Sequence, residues 1–526
     1  MKYLRNNTRR LLKLLALFMC VLIFSSCTNC VSCSFEDLFN VVVMEPTEKD
    51  TEGDINQISH ETQKQTELPT EELIYEPPVP IEDLDCEGFQ IKVLLPADEM
   101  SIMGWTGEDE YWESISAAVI YRNEEVFDDI NASIDFDYVV RNDNYSSVYL
   151  SYMIDDVIGG YHKYDVAVAD AEILSSATIR GATANLANEN IFPYFDFSQP
   201  CWIQSSVESQ SINGKLYSVT SEINYDVFSN MAVLWANVGI LRNIVSNGIE
   251  PLVSTINDGK WTYDELYRKL SVFDMGDGST AYGLGIDRDI TSELIDSIPY
   301  VWDINFVSED KKSPTFLFDS NSKADDAILK LKSIFGSKGT DTYGSMTKFA
   351  DDEYVFFFSK LAQGYDEIET RRRMESAYML CPLPKYDVGQ SDYLTYSEGA
   401  TLIAVLDHNQ SKVSTHGGYV SAMLQLLAEK SHSTYRGYYF NRIIKGRYFG
   451  TDDVDSTSPM YNSIAFYYML VSNIRFDLLS LYPGALAQAD RIWSNAYNSG
   501  KTVAEVYTEK KEAYENEIKA LLRCFE

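Results

Sequence analysis

Histidine is scarce, at five in 526 residues, and none stands in the His-Glu-x-x-His spacing that places two imidazoles and a general base on catalytic zinc. The sequence also lacks a G-x-S-x-G nucleophile elbow and a G-x-x-x-x-G-K phosphate cradle. Acidic pairs such as Asp155-Asp156 and Asp351-Asp352 are neighbours in sequence and diverge on a helix or strand. Carboxylates that work as a glycosidase pair must converge from separate elements, about 5–9.5 Å apart. The reading is therefore of a protein that is not an enzyme and uses no cofactor. Cations are few as well: 43 Lys and Arg face 79 Asp and Glu, for a formal charge of -36. Such a surface repels nucleic acid and gives no basic patch for anionic lipid. Long apolar runs are limited to one, at the start.

That run is informative. Lys2, Arg5, Arg9, Arg10 and Lys13 precede an uninterrupted apolar stretch from Leu14 to Phe24, which ends at Ser25-Ser26-Cys27. At about 1.5 Å per residue the stretch falls well short of a ~30 Å hydrocarbon core, so it reads as an export signal, residues 1–26, and not as a spanning helix. Small residues before a cysteine suit cleavage there, leaving Cys27 to carry lipid and anchor the chain at the outer face of a cell membrane. Of the remaining cysteines, Cys30 and Cys33 continue a Cys-x-x-Cys-x-x-Cys spacing with no fourth ligand nearby, so extra lipidation or free thiols outweigh a metal. The pairing of Cys86, Cys201, Cys381 and Cys524 is left open by sequence. Residues 27–85 are rich in Glu, Asp, Thr and Pro and read as an extended, self-repelling spacer.

Folded structure is expected from Cys86. Ile91 to Pro96 reads as a buried strand, Ile115 to Ile130 as a helix, Ile134 to Val140 as an alternating strand, Ser147 to Ile158 as a helix and Tyr164 to Asp170 as a third strand. Alternation of this kind implies a mostly parallel α/β sheet, whose ligands bind beyond the carboxyl ends of the strands, here at Ala97 to Trp105 and Asp170 to Glu172. Thr262-Tyr263-Asp264-Glu265 and Thr502-Val503-Ala504-Glu505 are capping boxes, the second opening a long final helix. Leu380 to Pro384 reads as a strand end, Gly399 to Leu406 as a strand, and Gly418 to Ala428 as a helix.

Four segments together resemble bacterial extracellular solute-binding proteins, the lipid-anchored receptors of ABC importers. They are Tyr164-Asp165-Val166; Ile212 to Tyr217 followed by the apolar Met231 to Ala236; Gly259-Lys260-Trp261 through Leu266; and Leu383 to Asp387 with Gln390 and Tyr393. The resemblance implies a periplasmic-binding-protein-like fold, type II: two discontinuous α/β domains joined by hinge crossovers, with the ligand in the cleft between them. One domain would comprise 86–218 with 396–455, the other 219–395 with 456–526. Crossings would fall near Lys215 to Glu222, Tyr396 to Ala404 and Tyr448 to Ser458. The implied partners are a small solute, a carbohydrate being favoured over a peptide or polyamine, and a membrane permease; the chain would act as a monomer. The rival reading is a surface-anchored glycan-active enzyme or adhesion lipoprotein.

A sugar needs flat apolar faces and directed acceptors in one concavity. Trp105, between Gly104 and Gly107, reads as exposed on a loop, open either to stacking or to packing. Asp170 ends a strand and would accept ligand hydroxyls or cap the next helix. Glu222 and Tyr225 lie past the first crossing, facing the cleft or forming a solvated loop. Trp302 and Tyr365 enter by segment order alone, with packing as the plainer reading.

Overall fold

In the computed structural model the described residues are 84–108, 113–244, 247–270, 273, 281–366, 374, 376–408, 414–438 and 459–526. The expected export signal, Cys27 and nearly all of the expected 27–85 spacer lie outside them, as do Cys30 and Cys33. All of the described residues belong to one compact unit.

Two sheets organise it. The first has the order β2-β1-β3-β9, with β1 Phe89–Pro96, β2 Ala132–Val139, β3 Val166–Asp170 and β9 Thr401–Val405. β1 pairs in parallel with β2 and β3, while β9 runs antiparallel to β3 from Val166↔Val405 to Asp170↔Thr401. β3 and the second half of β1 are continuous apolar runs because both of their faces are covered; β2, at the edge, is mostly half-buried, with Asp135 and Tyr138 exposed and Val139 buried. A helix, α1 (Glu99–Thr106), follows β1, and α2 (Glu113–Ile130) lines one face of the sheet through Ile115, Val119, Val126 and Ile130. α3 (Tyr145–Val157) and α4 (Ala171–Thr178) complete the alternation.

The second sheet has the order β6-β5-β7-β4-β8, formed by β4 Ala232–Asn237, β5 Tyr282–Asp287, β6 Thr340–Gly344, β7 Tyr354–Lys360 and β8 Tyr378–Cys381. β5 is parallel to β6 and β7; β4 is antiparallel to β7 and β8. α5 (Thr291–Val301) places Ile298 in one cavity wall with Leu234 and Leu284 of this sheet, and α6 (Ser414–Tyr438) returns to lie against α2 on the first. The helix expected over 418–428 is thus longer at both ends. The long final helix is not continuous: Thr502 makes both halves of its capping box, but Lys510 takes φ -136° and divides Val503–Glu509 from Lys511–Leu522.

The chain leaves the first sheet through Val219, which bridges Ile403, and reaches β4 after Asn224 and Asp226. It comes back through Ser397, which bridges Met231, into β9. These two segments lie side by side and are polar yet buried: Thr220, Ser221, Glu222, Asn224, Asp226, Ser397 and Thr401 are all shielded from water. Buried polar groups must find partners, which fixes the conformation here more tightly than apolar packing would. Asn224 Nδ2 donates to the Thr401 carbonyl at 2.8 Å and Thr401 N donates to Asp226 Oδ2 at 2.8 Å. The third crossing expected near Tyr448 to Ser458 lies outside the described residues.

The C-terminal helices pack on the second sheet's side, with contacts back to the first. Gly484 N donates to Ser175 Oγ at 2.9 Å, so close that a Cβ at 484 would stand 2.0 Å from the Glu172 carbonyl. At the end of the chain, Tyr217 Oη donates to the Cys524 carbonyl at 2.6 Å and Asn213 Nδ2 to that of Phe525 at 2.9 Å. Cys86, Cys201, Cys381 and Cys524 are free thiols. Among the described residues no helix is long and apolar enough to cross a membrane.

Candidate functional site

Three adjacent strands of the first sheet end in charge. Just past β1, Asp98 caps α1 by accepting from Ser101 N at 2.9 Å; Arg141 follows β2, and Asp170 closes β3. The guanidinium joins them. Its Nε donates to Asp98 Oδ2 at 2.8 Å, and its two terminal nitrogens donate to Asp170 Oδ2 and Oδ1 at 2.8 and 2.7 Å. This fork-on-fork arrangement is rigid and directional. Side-chain exposures of 36% for Arg141, 26% for Asp98 and 27% for Asp170 leave the network open to a ligand. Partial burial works against the guanidinium's charge, and the Asp170 contact more than offsets it, holding Arg141 protonated. The same guanidinium sits 4.6 Å above the ring of Tyr145.

Behind this network lies the crossing segment. Asp226 is 7% exposed, and while its Oδ2 accepts from Thr401, its Oδ1 is buried with no hydrogen bond among the described residues. Loss of water pushes its carboxyl up to about 7, with the Asp98 and Asp170 carboxylates adding to the rise. The Tyr145 hydroxyl is likewise buried without a hydrogen bond among the described residues, and burial first, then Asp170, raises it far above the usual phenol range.

Apart from this network, a second candidate site, a concavity of about 300 Å³, opens beside the returning crossing segment. α5 supplies Asp296 and Tyr300, the crossing supplies Tyr396 and Glu398, and the C-terminal region supplies Asp490, Arg491 and Trp493. The Tyr300 and Tyr396 rings stack with centroids 4.1 Å apart. Trp493 is fixed by a 3.1 Å hydrogen bond from its Nε1 to the Ile295 carbonyl. Desolvation, then Glu398 and Glu293, raises the Asp296 carboxyl to about 7. Glu398 is raised by burial despite its bond from Tyr396, and Asp490 by lost hydration, then by Glu398 and Asp296.

The residues expected from sequence separate into groups. Asp170 stands at the open edge, held by Arg141; it occupies the N-cap of α4 but makes no side-chain cap bond. Trp105 is not on a loop. It lies in α1, is 1% exposed, and its Nε1 donates to Asn224 Oδ1 at 2.9 Å, so its ring is part of the core. Glu222 is neither solvated nor cleft-facing: it is fully buried, with Oε1 3.0 Å from His432 Nδ1. Tyr225 is buried beneath α1, where Gly104 approaches its backbone. Trp302 is buried too, its Nε1 donating to the Pro384 carbonyl at 3.0 Å. The side chain of Tyr365 lies outside the described residues. Sequence reading pointed to Asp98 and Asp226 only as members of the segments Ala97 to Trp105 and Val219 to Asp226, and missed Arg141 and Tyr145, together with the wall of the second cavity. The available signal was a charged residue at the end of β3 and two places beyond the ends of β1 and β2.

No protein-family profile matches the sequence, and no curated protein matches it. Solved structures do. The sugar-binding protein MalE from the phytopathogen Xanthomonas citri superposes with a TM-score of 0.53 at 10% identity, over 82% of this chain and 97% of that one. The cyclic α-maltosyl-1,6-maltose binding protein from Arthrobacter globiformis gives 0.50 at 12% identity, over 83% and 99%. The fold is thus the periplasmic-binding-protein-like α/β architecture, with two sheets and paired crossings between them.

Proposed function

We propose that this chain is an extracellular solute-binding lipoprotein that captures a carbohydrate and delivers it, chemically unaltered, to an ABC transporter permease. The observation that carries the reading is the Arg141 network at the carboxyl ends of three neighbouring strands, next to the crossing segments. In open α/β sheets this edge is where ligands bind. Asp98 and Asp170 each keep acceptor capacity for sugar hydroxyls, and Arg141 donates in a fixed plane. Both superposed structures are described as binding sugars or maltose-derived oligosaccharides, which supports the same class here.

Capture is a shift between open and closed arrangements about the two crossings. A ligand that touches both sides favours closure only by its extra affinity for the closed state. Small-angle scattering is expected to show a smaller radius of gyration with a bound oligosaccharide, and chromatography to return that oligosaccharide intact. A constant radius together with cleaved product would transfer the protein to the enzyme class. Arg141→Ala is expected to weaken sugar binding at least about tenfold while shifting stability by less than about 1 kcal/mol, because the ion pairs it removes are partly exposed.

The anchor is a separate part of the proposal. Cys27→Ser is expected to move the protein from the detergent phase to the aqueous phase on detergent partition of expressing cells, since the acyl chains supply the membrane affinity. Unchanged partition would remove Cys27 from that role.

A further inference from the structure

The far end of the first sheet carries a cavity that solute capture does not use. β3 begins at Val166 and β9 ends at Val405, and beyond these ends lies a space of about 200 Å³. Asp165 lines it, whereas Asp170 closes β3 in the Arg141 network, so at ~3.3 Å per residue the two places stand roughly 16 Å apart. Its apolar wall is made by Ala184, Ile191, Phe192, Val405, Leu406 and Val420, all buried. Three of the chain's five histidines, His162, His408 and His416, gather in the polar part of the lining. The space suits one six-membered ring, since an apolar cavity of about 150 Å³ takes up benzene.

Charge around the cavity is matched within the protein. Asp165 accepts from His416 Nε2 at 2.6 Å and from Lys92 N at 2.8 Å, while Asp156 accepts from Lys163 N at 2.6 Å and Tyr164 N at 3.0 Å. Asp407, the other acid of the lining, is engaged as well. A neutral ligand therefore fits better than an ion. His408 offers such a ligand one directed contact. Its Nε2 faces two acceptors, the Tyr164 carbonyl and, at 3.5 Å, Asp156 Oδ2, so the hydrogen of the neutral ring belongs on Nε2. That leaves Nδ1 as an acceptor, and this atom is buried with no hydrogen-bond partner among the described residues. Buried polar atoms ordinarily have one. His162, held at φ 50°, stacks its ring on His408 with centroids 4.7 Å apart and so extends the π surface beside the cavity. We propose that the cavity binds a small neutral aromatic molecule, its ring against the apolar wall and its hydroxyl donating to His408 Nδ1. The site is independent of the carbohydrate reading and stands or falls without it.

Titration calorimetry at pH 8, where phenol keeps its proton, would compare phenol with fluorobenzene, a ring of nearly the same size with no hydrogen to donate. Phenol is expected to bind at least about fivefold more tightly, the worth of one neutral hydrogen bond in a buried site. His408→Phe keeps a ring and removes the acceptor, so the two ligands should then bind alike. Ala184→Leu fills part of the space and should weaken both. Melting scans show whether each variant folds. One reading needs no variant: in a sample with labelled histidines, saturating phenol is expected to move at least two ring signals, those of the stacked His162 and His408. Equal binding of the two ligands by the unaltered protein, binding of neither, or unmoved histidine signals overturns the proposal. A preference for phenol that survives in folded His408→Phe also overturns it, because the hydroxyl then sits elsewhere.

Discussion

Trp105→Ala lowers the unfolding free energy by about 3–5 kcal/mol, the range for deleting a buried aromatic side chain. The ring fills the core between α1 and the first sheet, and its indole N–H is spent on Asn224, one of the polar groups that fix the crossing segments. Trp105→Phe keeps most of the volume and loses that bond, leaving the Asn224 oxygen without it, at an expected cost of about 1–3 kcal/mol. Urea titration of the three proteins measures both steps. A tryptophan that served as an open stacking platform would behave in the opposite way: the Ala variant would melt normally and lose sugar. That outcome would sink the core assignment.

Asp226→Asn acts in the other direction. The folded carboxyl lies at about 7 against 3.8 for the ordinary group, so between about pH 4 and 7 the folded state binds the proton more tightly than the unfolded chain. Stability conferred by that proton is complete below about pH 4 and is lost as pH rises through 7. An amide at 226 carries no charge to desolvate and still offers Thr401 N an acceptor. At pH 8 the variant is therefore expected to be more stable than the parent by roughly 2–4 kcal/mol, at 1.36 kcal/mol per pKa unit. At pH 4 the two should differ little. Asp296, Glu398 and Asp490 impose slopes of the same sign, so the measured quantity is the difference between parent and variant across pH. An unchanged difference from pH 4 to 8 would mean that Asp226 titrates normally.

Much of the architecture was legible because burial on both faces writes itself as apolar runs. Ile91 to Leu95 and Val166 to Ala169 mark β1 and β3, and the helical spacing of Ile115, Val119, Val126 and Ile130 marks the buried stripe of α2. The glycines around Trp105 misled for a physical reason. Gly107 has φ 72° and ends α1 in the left-handed cap, and Gly104 sits inside the helix because a Cβ there would stand 2.8 Å from the Ile223 carbonyl. Both signal a packed helix, yet in sequence they look like a loop. Glu222 could not be placed because its partner, His432, comes from a helix far along the chain. The same holds for the second cavity, whose wall draws on α5, the returning crossing and the C-terminal helices. Asp170 was findable, since strand ends face ligands in this class of sheet, but its bond to Arg141 depends on β2 lying beyond β1.

The order of strands also constrains how such a molecule is made. β3 ends at Asp170, yet its neighbour β9 begins at Thr401, after every strand of the other sheet has been laid down. A ribosome or export channel that releases the chain from its N-terminus therefore leaves an unpaired apolar edge waiting through the synthesis of the whole intervening region. Until that edge is covered it is a template for aggregation, so a nascent chain of this design depends on being shielded or threaded quickly. Neither half can be obtained by cutting the gene once; a free-standing first half would need its early and late stretches spliced together.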